Sequence, residues 1–464
     1  MGQPTTRLQV SGHRFLARRM EHALVRGDTR MIDDPIRAQS LSLASGGVLA
    51  VIAVAVCAIL AFVRPGGSLG DASIVVVRES GAMYVRIDDV MHPVFNLTSA
   101  RLIVGSAAEP RVVSQRAIDR ADRGPQVGIS GAPPQISPPL RADEAMWTIC
   151  DDEHGATGVI AGPVAGGAMS NSHSVLVTPR GESPAMTYLL HGGWRARVDL
   201  RHPAVVRALR IDGVVPQQVS GTVLDAIPEA PAIQPPHIPA LGSPGPRALA
   251  GHPVGTVVKV PQADARVTDY YVVLDGGLQR IGEVAADLIR YTDGRAREQI
   301  PTVSADTVGA LPVVTSLPVA TFPQHGGVTP ARAVCAQWHP EAGETASHTE
   351  ILSGDEVPAA DRSVTLSQAD GDGPAVDSVA VPAGRSVFAR SVGLTGAGQR
   401  AGSLFLVTDT GVMHGVWDDD TATVLGLADP AVPAPWPVLA RLPRGPELSR
   451  REASIARDGL GSAP

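Results

Sequence analysis

An uncharged apolar run from Leu41 to Val63 is the strongest feature of the hydrophobic pattern along the chain. It reads LSLASGGVLAVIAVAVCAILAFV, 23 residues without a charge. A helix of about 20 residues spans a bilayer core about 30 Å thick. A secretory signal peptide has a shorter apolar region, usually about 7 to 15 residues, after a short basic start. Because 40 residues precede this run, the pattern predicts an uncleaved transmembrane helix over residues 41–63.

Residues 1–40 show the periodicity of a short amphipathic helix. Leu16, Met20 and Leu24 are spaced by four, and arginines occupy much of the remaining surface. Ser11 is the predicted N-cap, and Pro35 is expected to end or kink the helix. Such a basic helix docks on anionic lipid or on a partner protein, although a merely solvated helix also fits the pattern. The predicted docking residues are Phe15, Leu16, Arg18, Arg19, Met20 and Leu24.

Beyond a linker at residues 64–72, the pattern changes to short apolar runs separated by glycine turns, which is typical of β-strands. A strand, a turn with a glycine, a second strand and a helix-like segment occur near residues 73–105, 187–213, 269–294 and 403–429. The turn glycines, which stand where a hairpin can require positive φ, are Gly81, Gly193, Gly277 and Gly411. We therefore predict four small β-rich repeats, spaced too irregularly for a solenoid.

The segments between these units complete the expected architecture. They read as short strands and loops, which favours a central β-sheet module. Residues 226–246 are rich in proline and are predicted to form an extended strap rather than a packed element. The expected fold class is thus α+β, with a short N-terminal helix, a single transmembrane helix and four repeats around a central sheet over residues 73–464.

Composition and charge exclude several classes of protein. Glycine and proline make up about 19% of the chain without the third-position glycine of collagen, and only 18% of residues are charged, which excludes a long charged coiled coil. The net charge of −7 divides into +3 on residues 1–40 and −10 on the remainder. This acidic balance argues against nucleic-acid binding, which needs a concentrated basic surface.

Charge also predicts the orientation of the chain in the membrane. Seven arginines lie within residues 1–40, whereas only Arg64 and Arg78 follow the apolar run closely. By the positive-inside rule the N-terminus is cytoplasmic, and the larger part of the chain lies outside, where disulfides persist. Cys150 and Cys335, the two cysteines outside the apolar run, are therefore predicted to form a disulfide.

No constellation in the sequence predicts a catalytic, cofactor-binding or metal-binding residue. The basic residues are 38 arginines and one lysine, Lys259 in HPVGTVVKVPQ, so the GxxxxGK[ST] loop that cradles nucleotide phosphates is absent. The GxSxG and HExxH motifs are missing, and the 13 histidines show no metal-ligand spacing. Asp418, Asp419 and Asp420 stand where the fourth helix should begin and are predicted to cap it.

Four stretches of the sequence together resemble one known family. They are QVSGHRFLARRMEHALVRGDTRMIDDP before the apolar run, HPVFNLTSARLIVG after it, GPQVGISGAP at residues 124–133 and APWPVLARLPRGPELSRREA near the C-terminus. In this order along almost the whole chain, they resemble EccB, a membrane component of the ESX, or type VII, secretion system of actinobacteria.

The resemblance implies a fold and a set of partners. It implies a cytoplasmic helix, a single-pass anchor in the inner membrane, and an elongated periplasmic domain with four repeats and the Cys150–Cys335 disulfide. It also implies assembly with the EccC ATPase, EccD, EccE and other EccB copies among inner-membrane lipids. The expected function is that of a structural subunit of the secretion membrane complex, which docks on EccC and EccD.

Two alternative functions stay open at this point. EccB-like proteins are sometimes described as ATPases, so ATP is a cofactor by family description alone, and the missing phosphate loop argues against it. Peptidoglycan binding is the second alternative, because the EccB repeat resembles the binding subunit of a phage lysin in architecture. The acidic body argues against a purely electrostatic contact with the cell wall.

Overall fold

The fold combines helices with several β-sheets, which confirms the α+β class. The chain divides into two compact units: Met1–Gly70 with Val112–Arg120, the N-terminal unit, and Asp71–Arg111 with Ala121–Pro464, the β-rich body. The computed structural model describes residues 6–27, 35–63, 69–164, 169–181, 186–249, 251–262, 268–292, 299–341, 346–358, 362–396, 401–427 and 429–457.

Two long helices dominate the N-terminal unit, α1 (Arg7–Arg26) and α2 (Pro35–Val63). Pro35 begins α2 rather than ending α1, because the fixed φ of proline suits the first position of a helix. The linker predicted at residues 64–72 lies mostly outside the described residues.

The start of α1 differs from the sequence prediction. Thr6 is the N-cap, and its backbone N–H donates a hydrogen bond of 3.1 Å to Gln9 Oε1. Ser11, the predicted N-cap, therefore lies inside the helix, because Thr6 and Gln9 cap the chain earlier. The helix ends at Gly27, whose φ of 68° allows its N–H to bond the carbonyl of Ala23.

The remaining elements follow in chain order. The first segment comprises β1 (Ile74–Val77), β2 (Met83–Ile87), β3 (Val90–Pro93), α3 (Leu97–Val104), β4 (Arg111–Val113) and α4 (Gln115–Ile118). The next comprises β5 (Trp147–Asp151), β6 (Thr157–Ala161), β7 (Val175–Pro179), β8 (Tyr188–His191), β9 (Trp194–Val198), α5 (Pro203–Leu209), β10 (Gln217–Val219), α6 (Gly221–Asp225) and β11 (Glu229–Ile233). Then follow β12 (Val257–Pro261), β13 (Thr268–Leu274), β14 (Gly277–Ile281), α7 (Glu283–Thr292), α8 (Ala305–Gly309), β15 (Ala333–Pro340), β16 (Ser347–Gly354), β17 (Val364–Thr365) and β18 (Ser378–Ala380). The last comprises β19 (Val387–Val392), β20 (Leu404–Val407), β21 (Met413–Val416), α9 (Asp419–Leu425), β22 (Val432–Pro435), α10 (Trp436–Leu439) and α11 (Arg450–Ala453).

An antiparallel meander followed by a helix recurs in the segments predicted as repeats. The meanders are β1-β2-β3, β7-β8-β9, β12-β13-β14 and β19-β20-β21, and the helices are α3, α5, α7 and α9. After each helix the chain returns parallel to the third strand of its meander, as β11 beside β9 and as bridges at Arg123, Val313 and Arg444. In the last three segments the meander starts one strand before the predicted boundary, because a connection longer than a hairpin turn separates its first and second strands.

The intervening segments form a sheet of six strands among the described residues, in the order β16-β15-β5-β6-β18-β17. Trp147 on β5 and Trp338 on β15 are paired in register and fully buried. The face of the sheet that carries them packs against residues of the second and fourth meanders, including Val177 on β7 and Val387 on β19. Full burial of an aliphatic side chain such as Val177 stabilises the fold by about 1.5 to 3 kcal/mol, so this sheet lies in an extensive hydrophobic core.

The proline-rich segment at residues 226–246 is more tightly packed than predicted. Its first part is β11, which pairs with β9 at the edge of the sheet β10-β7-β8-β9-β11. Pro231 lies where the register shifts, and an edge strand tolerates the missing N–H. Ile233 and Ile238 are buried in the core shared by the second and third segments. The segment is thus a packed element at its start.

Candidate membrane anchor and docking helix

The predicted docking residues of α1 are exposed. Arg18 and Arg19 are exposed, and so are the apolar residues Phe15 (56%), Leu16 (57%), Met20 (66%) and Leu24 (85%). Helical stability in proteins comes mainly from packing of an apolar face, and exposed apolar patches mark interaction sites. The face of α1 therefore has the composition and accessibility of a docking surface.

Among the described residues, one helix has a span long and apolar enough to cross a bilayer, Gln39–Ile59 in α2. At 1.5 Å per residue its 21 residues extend about 31 Å, close to the thickness of a bilayer core. Its apolar side chains are exposed around the helix, for example Leu43 (77%) and Val51 (70%). The hydroxyls of Ser42 and Ser45 donate to backbone carbonyls of the same helix over 3.0 and 2.7 Å, which suits a site without water.

The predicted disulfide is present in the β-rich body. Cys150 on β5 and Cys335 on β15 face each other in antiparallel register, and their sulfur atoms are bonded. Both residues are buried, and the third cysteine, Cys57, is exposed on α2. The bond joins strands 185 residues apart. In the chain-entropy model, closing a loop of this length lowers the entropy of the unfolded chain and stabilises the fold by about 5 kcal/mol.

A buried polar junction beside the disulfide was not predicted from the sequence. Asp151 is 2% exposed and accepts hydrogen bonds from the backbone N–H of Ser220 and from the hydroxyls of Ser220 and Thr157, the latter two of 2.8 Å. Burial raises the pKa of the Asp151 carboxyl, and these donors and the nearby Arg180 oppose that rise. Ser220 also caps α6 by accepting from the N–H of Val223. The carboxylate therefore holds strand β5 against α6.

The four predicted turn glycines share positive φ but not an equivalent position. The φ angles are 71° at Gly81, 83° at Gly193, 145° at Gly277 and 81° at Gly411. The last three turns join the second and third strands of their meanders, whereas Gly81 joins the first and second. In the first meander the equivalent turn contains Asp88 and Asp89, with φ of 49° and 64°. The sequence alignment of the first segment is thus displaced by one strand.

The space around these glycines also differs between the first meander and the others. A Cβ at Gly193 would overlap the carbonyl oxygen of Thr349 on β16, and one at Gly277 would overlap that of Pro312. A Cβ at Gly81 would meet no atom within 4 Å. Gly193 and Gly277 therefore require glycine for close backbone approach as well as for φ.

Matching histidines identify equivalent third strands in the first and fourth meanders. His92 on β3 and His414 on β21 each place Nδ1 near a proline carbonyl oxygen, 2.9 Å from Pro125 and 3.0 Å from Pro446. In both places a glycine, at 124 or 445, packs so closely that a Cβ would overlap the ring. These histidines hold returning backbone in place.

Lys259 and Asp418, two charged residues singled out in the sequence, are part of the secondary structure. Lys259 lies within β12, where its N–H donates to Pro301 over 2.9 Å and its carbonyl accepts from Val303 over 3.0 Å. A phosphate-binding lysine instead follows a glycine-rich loop at the start of a helix. Asp418 caps α9, as predicted, and its carboxylate accepts from the N–H of Thr421 over 2.7 Å.

Comparison with known families decides where the chain belongs. The model of a family described as type VII secretion system ESX-1, transport TM domain B, matches residues 2–462. The chain belongs to the EccB family. This confirms the resemblance drawn from four stretches of the sequence.

Curated EccB relatives match over nearly their full length. The chain is 37% identical to the ESX-3 secretion system ATPase EccB3 of Mycolicibacterium smegmatis, over 99% of this chain and 92% of the relative. It is 32% identical to the ESX-5 secretion system ATPase EccB5 of Mycobacterium marinum, over 98% of this chain and 94% of the relative. The word ATPase belongs to the names of these relatives.

Solved EccB structures share the fold. A chain of an intact ESX-5 inner membrane complex aligns with a TM-score of 0.72 at 30% identity, covering 100% of this chain and 98% of that one. An EccB3 dimer from the ESX-3 core complex aligns with a TM-score of 0.72 at 34% identity, covering 83% of this chain and 100% of that one.

Proposed function

We propose that this EccB-family protein is a structural subunit of an ESX secretion membrane complex, held in the inner membrane by α2. The observation that carries the proposal is the end-to-end similarity to a chain of the ESX-5 inner membrane complex. The apolar span of α2 supplies a matching anchor.

The proposed orientation places α1 in the cytoplasm and the β-rich body in the periplasm. The arginines concentrated before the apolar span support it, because positive residues remain on the cytoplasmic side. The Cys150–Cys335 disulfide also supports it, because disulfides persist in an oxidising compartment.

In this proposal α1 docks on EccC and EccD, beside the membrane surface. Its exposed apolar side chains and neighbouring arginines support a contact that combines hydrophobic burial with attraction to acidic groups. The β-rich body would contact other EccB copies and EccE. We interpret its four meanders as copies of one repeat around the six-stranded sheet, which build the periplasmic part of the complex.

ATP hydrolysis is the weaker alternative, and no cofactor is part of the proposal. Its support is the wording of the relatives' names. The backbone of Lys259 is committed to a strand ladder, which does not favour a phosphate site. No observation favours peptidoglycan binding.

A charge placed on the exposed face of α1 tests the docking role. Met20→Asp should reduce the amount of assembled complex at least about tenfold, because burying an unpaired carboxylate in an apolar contact is costly. Ser11→Asp is the matched control for the apolar stripe of Leu16, Met20 and Leu24, since a spacing of nine residues puts Ser11 opposite Met20. Ser11 lies on the side of Phe15 and Arg18, so the pair of variants tests the apolar stripe alone. Both variants of the full chain are co-expressed with EccC, EccD and EccE, and assembly is measured by native gel electrophoresis after affinity purification.

Equal assembly of the two variants would contradict the docking role of this face. Secretion of a substrate of the same ESX system is the second readout. Tryptophan fluorescence checks that the β-rich body of both variants is folded, because all five tryptophans lie there.

A further inference from the structure

Two histidines and a glutamate meet on one face of the β15–β16 hairpin. His339 and His348 are a cross-strand pair, and Glu350 lies two residues farther along β16. The imidazole rings stack with centroids 5.0 Å apart and an interplanar angle of 13°. One ligand atom from each of the three side chains lies within 4.8 Å of the others.

A hydrogen-bond partner stands behind His339. Its Nε2 lies 3.0 Å from Gln337 Oε1, and the amide nitrogen of Gln337 donates to the Thr148 hydroxyl over 3.1 Å. The glutamine oxygen therefore accepts from His339 Nε2–H, which leaves the Nδ1 lone pair of the neutral ring unused.

Two carboxylates lie within ion-pair distance of His348, one near each ring nitrogen. Glu341 Oε1 lies 3.7 Å from its Nδ1, while Glu350 Oε1 lies 3.9 Å from its Nε2. Metal-binding histidines almost always direct their second ring nitrogen to a carboxylate or carbonyl oxygen, which sets the tautomer and the ring orientation. His339 has such a hydrogen-bond partner in Gln337, and His348 has the Glu341 carboxylate within ion-pair distance.

We propose that His339, His348 and Glu350 form a binding site for a divalent transition metal of the Zn²⁺ class. The ligand atoms would be His339 Nδ1, His348 Nε2 and a Glu350 carboxylate oxygen, with water as the fourth ligand. Two imidazoles and a carboxylate suit Zn²⁺ better than Mg²⁺ or Ca²⁺, which prefer oxygen ligands.

The step to tetrahedral geometry is small. Ligand atoms about 2.1 Å from a tetrahedral metal lie about 3.4 Å apart, so atoms now within 4.8 Å of one another must approach by up to about 1.4 Å. His348 is exposed and Glu350 half-buried, so their side chains can make this adjustment. A bound metal would join the ends of β15 and β16, whose pairing reaches Pro340 and Ser347.

Zinc titration of the full-length protein tests the site. The protein is purified in detergent with a tag that lacks histidine, treated with a chelator, dialysed, and titrated with ZnCl₂ by calorimetry. We expect saturable binding of one equivalent that is weakened in His348→Ala and in Glu350→Gln. Loss of a partner behind a ligand alone costs about 10- to 100-fold in affinity, so loss of a ligand should cost about 100-fold or more.

His154→Ala is the matched control, because His154 is an exposed histidine 3.7 Å from the carboxylate of Glu153. It should bind Zn²⁺ like the wild type. Glu350→Gln is nearly isosteric, so it keeps the test valid if His348→Ala fails to fold. Urea unfolding of each variant in the presence of chelator shows whether it is folded without metal. Absence of saturable binding in the wild type, or unchanged affinity in folded variants at 348 and 350, would overturn the proposal.

Discussion

The helices of the N-terminal unit and the sheets of the β-rich body use the same apolar residues in opposite ways. Val51 on α2 is 70% exposed, whereas Val334 on β15 is fully buried. Apolar side chains of the body contact one another in shared cores. The body therefore buries its apolar side chains within itself, while the helices expose theirs, as proposed, to lipid and to partner proteins.

The largest expected effect belongs to the body alone. The double variant Cys150→Ser and Cys335→Ser removes the bond across 185 residues and should lower the free energy of unfolding by about 5 kcal/mol. Urea unfolding of the detergent-solubilised chain, followed by tryptophan fluorescence, measures it. Cys57→Ser is the control, because Cys57 lies on α2 outside the disulfide. Similar unfolding midpoints for the double variant and for Cys57→Ser would show that the disulfide does not stabilise the body.

A charge on α2 should act on membrane insertion and leave the body unchanged. Val51→Arg places arginine near the middle of the apolar span, at a cost to insertion of about 3 kcal/mol. Val215→Arg makes the same change at a position in the body that is 85% exposed, where contact with water makes it nearly neutral. Membrane fractionation with alkaline extraction compares the two. Equal membrane retention would show that Val51 does not face lipid.

The smallest expected effect separates two turns within the body. Gly81→Ala and Gly193→Ala both place a side chain at positive φ, which costs about 1 to 2 kcal/mol. Gly193→Ala should cost about 2 kcal/mol more, because its Cβ also overlaps the Thr349 carbonyl of the central sheet. Urea midpoints of both variants measure the difference. If Gly81→Ala were the more destabilising, the close approach of Gly193 to the Thr349 carbonyl would not limit the side chain at that turn.

Sequence patterns predict local features of this chain well, but they do not show which strands pair. The apolar run from Leu41, the exposed face around Met20 and the cap at Asp418 depend on neighbours within a few residues. The disulfide followed from compartment and cysteine number. Gly81 was aligned to the wrong turn, because a glycine marks a turn without showing which two strands it joins.

The candidate metal site shows why spacing alone did not predict it. His339 and His348 are nine residues apart, a separation that fits no metal-binding motif on a helix or in a loop. Antiparallel register makes them direct neighbours. Asp151 is similar, since Ser220 lies 69 residues away in the chain.

The candidate membrane span, the amphipathic helix, the α+β class and the family are readable from the sequence, because each depends on composition or on contacts close along the chain. Which strands pair, which turns are equivalent and which polar side chains meet is visible only in the folded chain. Those outcomes depend on strand register, where a shift of one residue moves every side chain to the other face. Long-range burial selects the register, so a local pattern does not reveal it.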